Sequence, residues 1–444
     1  MSLDFKEFQA DNPDAWKDRI LKELKGKPYE SLVWDHPEGM ALEPNSYEGQ
    51  TAENKGFPGK FPYLRGVKTE SNDWEINQFI ASDSEAKMNK RALTALEGGA
   101  EGLIISLKEP KDLAQVLKGV FLNYAGLHFV DGFTQENLRQ LEKLIAEKEL
   151  TGKDIYGSAE LHLYDKELNV REENVALAKE ISQKFTRVKA VKVRGDFFHD
   201  MGAIASTELA LALSIGHESL LELVKGGMTV DQASAAINFS MGTGSSYFTE
   251  LAKYRVLRQL WGLVVDKYEP EHSCSRATYI HAFSGNWNKS ILDEENNLLR
   301  TTTEAMSAVL GGADAVCLFP FNDLTKQFSN SGMRYARNIQ HLLKSESFLH
   351  QTLDPAGGSY YIENLTKELR EKAWEKFCEI ESEGGIIALQ RSGKIMEMLQ
   401  ADAKAQKEAL ASDQRTMIGV NKYKPEQTKK AIRENDRLAK DFEG

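Results

Sequence analysis

The sequence predicts an α/β fold, a (β/α)8 barrel flanked by an N-terminal arm and a C-terminal helical extension. Three observations carry this. Residues 277–320 read as strand, loop, helix and strand, ending on Gly311-Gly312 and a second apolar run. Eight such β-rich runs recur between residues 74 and 319, mostly separated by segments of helical spacing, and this alternation argues for parallel strands under a helical layer. At 444 residues the chain is long enough for one large domain with flanking elements.

In chain order, residues 1–60 form the arm. Asn12-Pro13 has the pattern of an N-cap and first helical position, and Trp16, Ile20, Leu21 and Leu24 share one face of the helix that follows. Such a stripe must be buried, either on this chain's own barrel or on another subunit. Residues 61–345 hold the barrel. Its strands are expected at 74–80, 102–107, 127–130, 156–163, 190–197, 235–241, 277–283 and 315–319. The clearest helices fall at 84–97, 134–148, 172–184, 206–224, 247–265 and 296–310. Parallel strands require such crossovers, which are almost always right-handed. Residues 346–444 form the extension. A turn-rich link at 354–363 precedes an amphipathic helix at 366–380, a break at Gly384-Gly385, a further helix or pair at 386–410, and a charged tail.

Composition excludes several classes. With 56 basic and 67 acidic residues the formal charge is −11, which argues against a nucleic-acid surface. No apolar run approaches a membrane span, and Met1 to Ala10 is polar, without a secretory pattern. Three dispersed cysteines, Cys274, Cys317 and Cys378, fit a reducing compartment and form no zinc or redox motif. A cytoplasmic protein is expected, with no membrane and no metal.

Several motifs are more specific than composition. They are WDHPEG (34–39), FPYLRGV (61–67), SGNW (284–287), NNLLRTTTEAMSAVLGGADAV (296–316), DPAGGSYYIENL (354–365) and IGVNKY (418–423). Together they resemble the barrel domain of the methylmalonyl-CoA mutase family, from about Trp34 to Tyr423. The resemblance implies enzymes that use adenosylcobalamin to rearrange acyl-CoA skeletons through radicals.

Barrels of this type carry their chemistry at the C-terminal ends of the strands. Where the resemblance implies an arginine and a tyrosine after the first strand, this chain has Asn77 and Phe79. Phenylalanine keeps the shape and deletes the hydroxyl donor. Residues 68–73 are also shorter than the family pattern, which puts its coenzyme A contacts in doubt. At the fifth strand the family's histidine aligns with Phe197, and His199 lies two residues on. At the seventh, a histidine and a glutamine align with Ile280 and Ala282, with His281 expected on the opposite face. At the eighth, a histidine and an asparagine become Cys317 and Phe319, and residues 161–166 offer no counterpart to a glutamine and an arginine. The expectation is an apolar mouth that has lost its preorganised donors. His199 is left either as a polar candidate, with Asp196 and Asp200 beside it, or as a surface or interface histidine. None of the nine histidines lies in the family's Asp-x-His-x-x-Gly cobalt-ligating pattern.

These readings converge on the small, non-catalytic subunit of a heterodimeric mutase. They assign no catalytic, cofactor-binding or metal residues to this chain, which carries no cobalamin-binding domain. Adenosylcobalamin is expected on a large catalytic partner, and acyl-CoA binds here at most weakly. Two alternatives stay open. One is a catalytic barrel served by a separate cobalamin-binding protein. The other is an unrelated enzyme or binding module reusing the mouth around Asp196, His199 and Asp200. The loop Gly242 to Ser246 follows a strand and could cradle a phosphate, but it lacks a P-loop lysine and reads better as plain loop geometry. Phe248, Glu250, Lys253, Arg255, Arg258 and Trp261 read as a packed, ion-paired helix.

Overall fold

The computed structural model describes residues 12–47, 56–109, 111–325 and 329–424. The polar first ten residues and nearly all of the charged tail lie outside them.

Eight parallel strands form the barrel. They are β1 Glu75–Ile80, β2 Gly102–Ser106, β3 Gly126–Val130, β4 Tyr156–Ser158, β5, β6 Ile237–Thr243, β7 Ile280–Ser284 and β8 Ala315–Cys317. Strand β5 runs in two segments, Arg187–Lys189 and Val191–Arg194, on either side of Ala190. The first segment pairs with β4, the second pairs with β6, and β8 pairs with β1, so the sheet closes on itself. Closure removes every open edge.

The helical layer follows the expected alternation, with local chemistry at its ends. Thr134 and Asn137 form a capping box that starts Gln135–Glu147, and Thr229 with Gln232 does the same for Val230–Ala236. Gly312, at φ 83°, ends Glu295–Leu310 in the left-handed region that glycine enters freely. Arg258 then donates to the carbonyls of Gly311, at 2.8 Å, and Gly312. A buried guanidinium therefore satisfies the C-terminal carbonyls of that helix.

Several boundaries differ from the sequence reading. Strand β5 stops at Arg194, because Gly195–Asp200 turns into a short helix. Phe197 and His199 therefore lie on a helix, not at a strand end. Strand β4 is short, although the N–H groups of Ala159 and Leu161 still donate to Lys189 and Ala190. The helix expected at 366–380 is Tyr360–Ser382, so the last four residues of the supposed link are helical; it packs on Ala205–Lys225 and Tyr247–Asp266.

In the arm, Asn12 caps Pro13–Glu23 by accepting from Ala15 N–H at 2.8 Å, and no residue of that helix is buried. A hairpin not anticipated from the sequence, Trp34–His36 with Met40–Leu42, follows it. Its turn carries Glu38, whose buried carboxylate accepts from the N–H groups of Ala205 and Ser206, the latter at 3.0 Å. Glu38 thus caps Ala205–Lys225 from another part of the chain, where a negative charge is stabilising.

Candidate functional site

Alternation along the strands decides what faces the barrel axis. From β1 these are Glu75, Asn77 and Phe79. Gly102 and Gly126 leave room for Glu75, since a Cβ on either would lie 1.9 or 2.1 Å from its Oε1. His128 on β3 meets Glu75 at 2.9 Å and Ser158 at 3.0 Å. Asn77 donates to Nε2 of His281 at 3.2 Å. Burial, together with the nearby Lys192 charge, pushes His281 well below the usual histidine range, so it stays neutral. This middle layer is polar and closed.

The layer above it divides into two halves. On one side Phe79, Phe283 and Phe319 touch, with centroids 5.7 Å apart for Phe79–Phe319 and 6.1 Å for Phe283–Phe319. Ile104, Val130 and Cys317 complete that cluster. Burial pushes the Cys317 thiol up to about 12, which leaves it protonated and poorly nucleophilic. On the other side Arg194 forks onto Asp196 at 2.8 and 2.9 Å and reaches Glu160 at 3.4 Å. Ser240 donates to Asp196. Burial opposes the charge on Glu160, but Arg194 and the other nearby cations outweigh it and hold the carboxyl at about 2. Lys192 lies between the halves, its Nζ 6.0 Å from the Phe283 ring and without a hydrogen-bond partner among the described residues. Burial brings it down to about 8.

The expected apolar mouth is therefore correct for β1, β7 and β8 and wrong for β4 and β5. Asn77, Phe79, Cys317 and Phe319 face the axis as expected. Ile280 and Ala282 do not: they join the core under the helices, and the axis-facing pair is His281 and Phe283. The sequence pairing was one residue out of register there, and a one-residue slip exchanges the faces. Glu160, Arg194, Lys192 and His128 were missed. Strict alternation along 126–130, 156–160 and 190–194 would have revealed the axis-facing positions they occupy.

Asp196, His199 and Asp200 do not converge. Asp196 serves Arg194. Asp200 accepts from the Asn286 backbone N–H at 2.7 Å and from its side-chain amide at 3.3 Å. His199 is buried, not a surface histidine. Its Nδ1 lies 3.5 Å from Glu208, which is held in turn by Lys253 at 2.6 Å. Burial disfavours the imidazolium, but Glu208 and Glu250 outweigh it and raise the pKa. A cleft of about 50 Å³ reaches His199 but neither aspartate. Gly242 near the end of β6 and Gly244 just after it seat this imidazole. The helix Tyr247–Asp266 is packed and ion-paired as expected, with Lys253 also 2.6 Å from Glu250 and Arg255 2.9 Å from Glu363.

Among the described residues no helix is long and apolar enough to cross a membrane. Comparison with known proteins adds the family. The methylmalonyl-CoA mutase family model matches residues 37–115 and 167–441. A methylmalonyl-CoA mutase small subunit from Porphyromonas gingivalis is 31% identical over 438 residues, covering 94% of this chain and 71% of that protein. In Streptomyces virginiae a small subunit is 30% identical and a large subunit 27% identical. The match covers 89% of this chain and 66% of the small subunit, and 93% of this chain and 62% of the large subunit.

Proposed function

The chain belongs to the methylmalonyl-CoA mutase family, and from that premise we propose that it is the small, non-catalytic subunit of a heterodimeric mutase. The complex would interconvert methylmalonyl-CoA and succinyl-CoA in the cytoplasm. A large subunit would hold the acyl-CoA and adenosylcobalamin, which supplies the radical when bound.

One observation carries this reading. Phe79, Phe283 and Phe319 pack together at the strand ends where polarising a thioester carbonyl would need donors aimed in advance. Several nearby polar groups are already engaged, Arg194 by two carboxylates, His281 by Asn77 and His199 by Glu208, whereas Lys192 has no hydrogen-bond partner among the described residues. His199 and His281 are both buried, which supports placing the cobalamin on the other subunit. For the partner, support comes from the paired small and large subunits of Streptomyces virginiae, and from the helix Pro13–Glu23, whose apolar stripe is only partly covered among the described residues: Trp16 and Ile20, with Leu24 after them, are half-buried and Leu21 is exposed.

The test is a mutase assay with methylmalonyl-CoA and adenosylcobalamin on this chain alone, and again after co-purification with a co-expressed large-subunit homologue. Turnover only in a stable 1:1 complex, with cobalamin on the other chain, supports the reading. Turnover after adding just a free cobalamin-binding domain overturns it.

A further inference from the structure

Beside the barrel mouth the C-terminal extension encloses a cavity of about 520 Å³. Its walls come from the loop after β7, the first turns of Glu295–Leu310, the end of Lys394–Ala411 and the segment 415–420. Its charge is lopsided. Lys289, Arg300, Lys407 and Arg415 line it and, among the described residues, no carboxylate does, in a chain whose acidic residues outnumber its basic ones 67 to 56.

Among the described residues only one of these cations is neutralised by direct pairing. Lys289 is locked onto Glu304, at 2.5 Å to Oε2. Arg300 instead donates to Asn297 Oδ1 at 2.7 Å and to the carbonyl of Ile418 at 2.6 Å. Arg415 donates to Gln406 at 2.9 Å and Ser245 at 2.8 Å. Both guanidinium groups thus rest on neutral acceptors. Burial pulls both below the usual arginine range, and the more distant Glu304, Asp293 and Glu250 compensate only in part. Lys407 sits 5.4 Å from the Trp287 ring, a contact that leaves its charge unneutralised. The rest of the wall is apolar, with Leu299, Leu410, Met417 and Ile418.

We propose that this cavity binds an organic polyanion of about nucleotide size, with its phosphate or carboxylate groups on Arg300 and Arg415 and its body on the Leu299–Ile418 wall. Planar forks held in place by neutral acceptors are already oriented for such oxyanions, and an anion supplies the counter-charge that the fold does not. The residues involved are separate from Phe79, Phe283 and Phe319, so the proposal stands whether or not the barrel is catalytic.

Titration calorimetry on the full chain tests it, with ATP, pyrophosphate and citrate as probes. At least one is expected to bind with an affinity that falls as salt rises. Arg415→Gln is expected to weaken that probe tenfold or more. Because Arg415 also tethers the extension, a second pair guards against misfolding. Leu299 is 65% exposed, so its substitution leaves the packing alone. Leu299→Glu should weaken binding tenfold or more, and Leu299→Lys should tighten it. ATP favoured over pyrophosphate and citrate would identify a nucleotide-like ligand, and citrate favoured would identify a polycarboxylate. No heat from any probe at millimolar concentration, or affinities indifferent to both Leu299 changes, would overturn the proposal.

Discussion

Nδ1 of His199 lies 3.5 Å from Oε2 of Glu208, and the imidazole occupies space that three glycines leave open. A Cβ on Gly242, Gly244 or Gly285 would come within 2.4, 2.9 or 2.3 Å of it. The glycines around the sixth and seventh strand ends therefore serve a side chain, not a turn.

Gly242→Ala is the sharpest probe of that slot, because the added methyl meets the His199 Cβ and ring together. Overpacking of this kind should cost about 1–3 kcal/mol, read from the urea midpoint. His199→Ala in the same background should recover part of the loss. A double variant whose loss equals the sum of the two single losses would show that the two sites do not share space.

Lys253 sits between Glu208 and Glu250, at 2.6 Å from each, and is fully buried. Lys253→Met would leave two buried carboxylates without their counter-ion. The expected loss is about 3–5 kcal/mol, and adding Glu208→Gln should return some of it. Denaturation of the three proteins under one condition measures this.

His36 is buried, and burial, with the Arg415 charge, lowers it to about 4. Its Nδ1 accepts from the Glu38 N–H at 3.2 Å, which leaves the Nε2 proton for Thr249 at 2.9 Å. The unfolded histidine takes up a proton first, so stability should fall as pH drops from 6.5 towards 4. The fall amounts to about 3 kcal/mol from this group. His199, with its raised pKa, has the opposite sign: its contribution is present below 6.5 and is lost as pH rises through the folded value. Comparing wild type with His36→Gln from pH 7 to pH 4.5 isolates the first effect. A difference that does not change with pH would refute the assignment.

Cys274 and Cys378 are exposed, whereas Cys317 is buried in the aromatic half of the barrel. Ellman's reagent should therefore titrate two thiols in the native chain and the third only in denaturant. Three fast-reacting thiols in the native state would mean that the Phe79–Phe283–Phe319 layer opens readily.

Most of the barrel was legible because its strands are bounded by strong punctuation. Gly311-Gly312 ended a helix where the sequence placed it, and Glu172–Lys184 matched to the residue. The site was harder to read. Ile280 and Ala282 were assigned to the axis because family spacing was carried over without its register, and one residue exchanges the faces. His199 was misjudged because the helix Gly195–Asp200 begins where a strand was assumed to continue. No local pattern distinguishes that turn from three more extended residues. The Glu38 cap on Ala205 and Ser206 joins positions far apart in the chain, so no local window could show it.

The layer formed by Glu75, Asn77, His128 and His281 has a topological consequence. With Glu75 filling the room left by Gly102 and Gly126, the barrel is a cup, not a tube. A slender molecule cannot be threaded along the axis from the far end, and anything that reaches the phenylalanine floor must arrive and leave through the same rim. The hairpin at 34–42 and the C-terminal extension both reach that rim, so traffic there is set by how they cover it. Changes in those covering segments would then alter access without altering a single barrel residue.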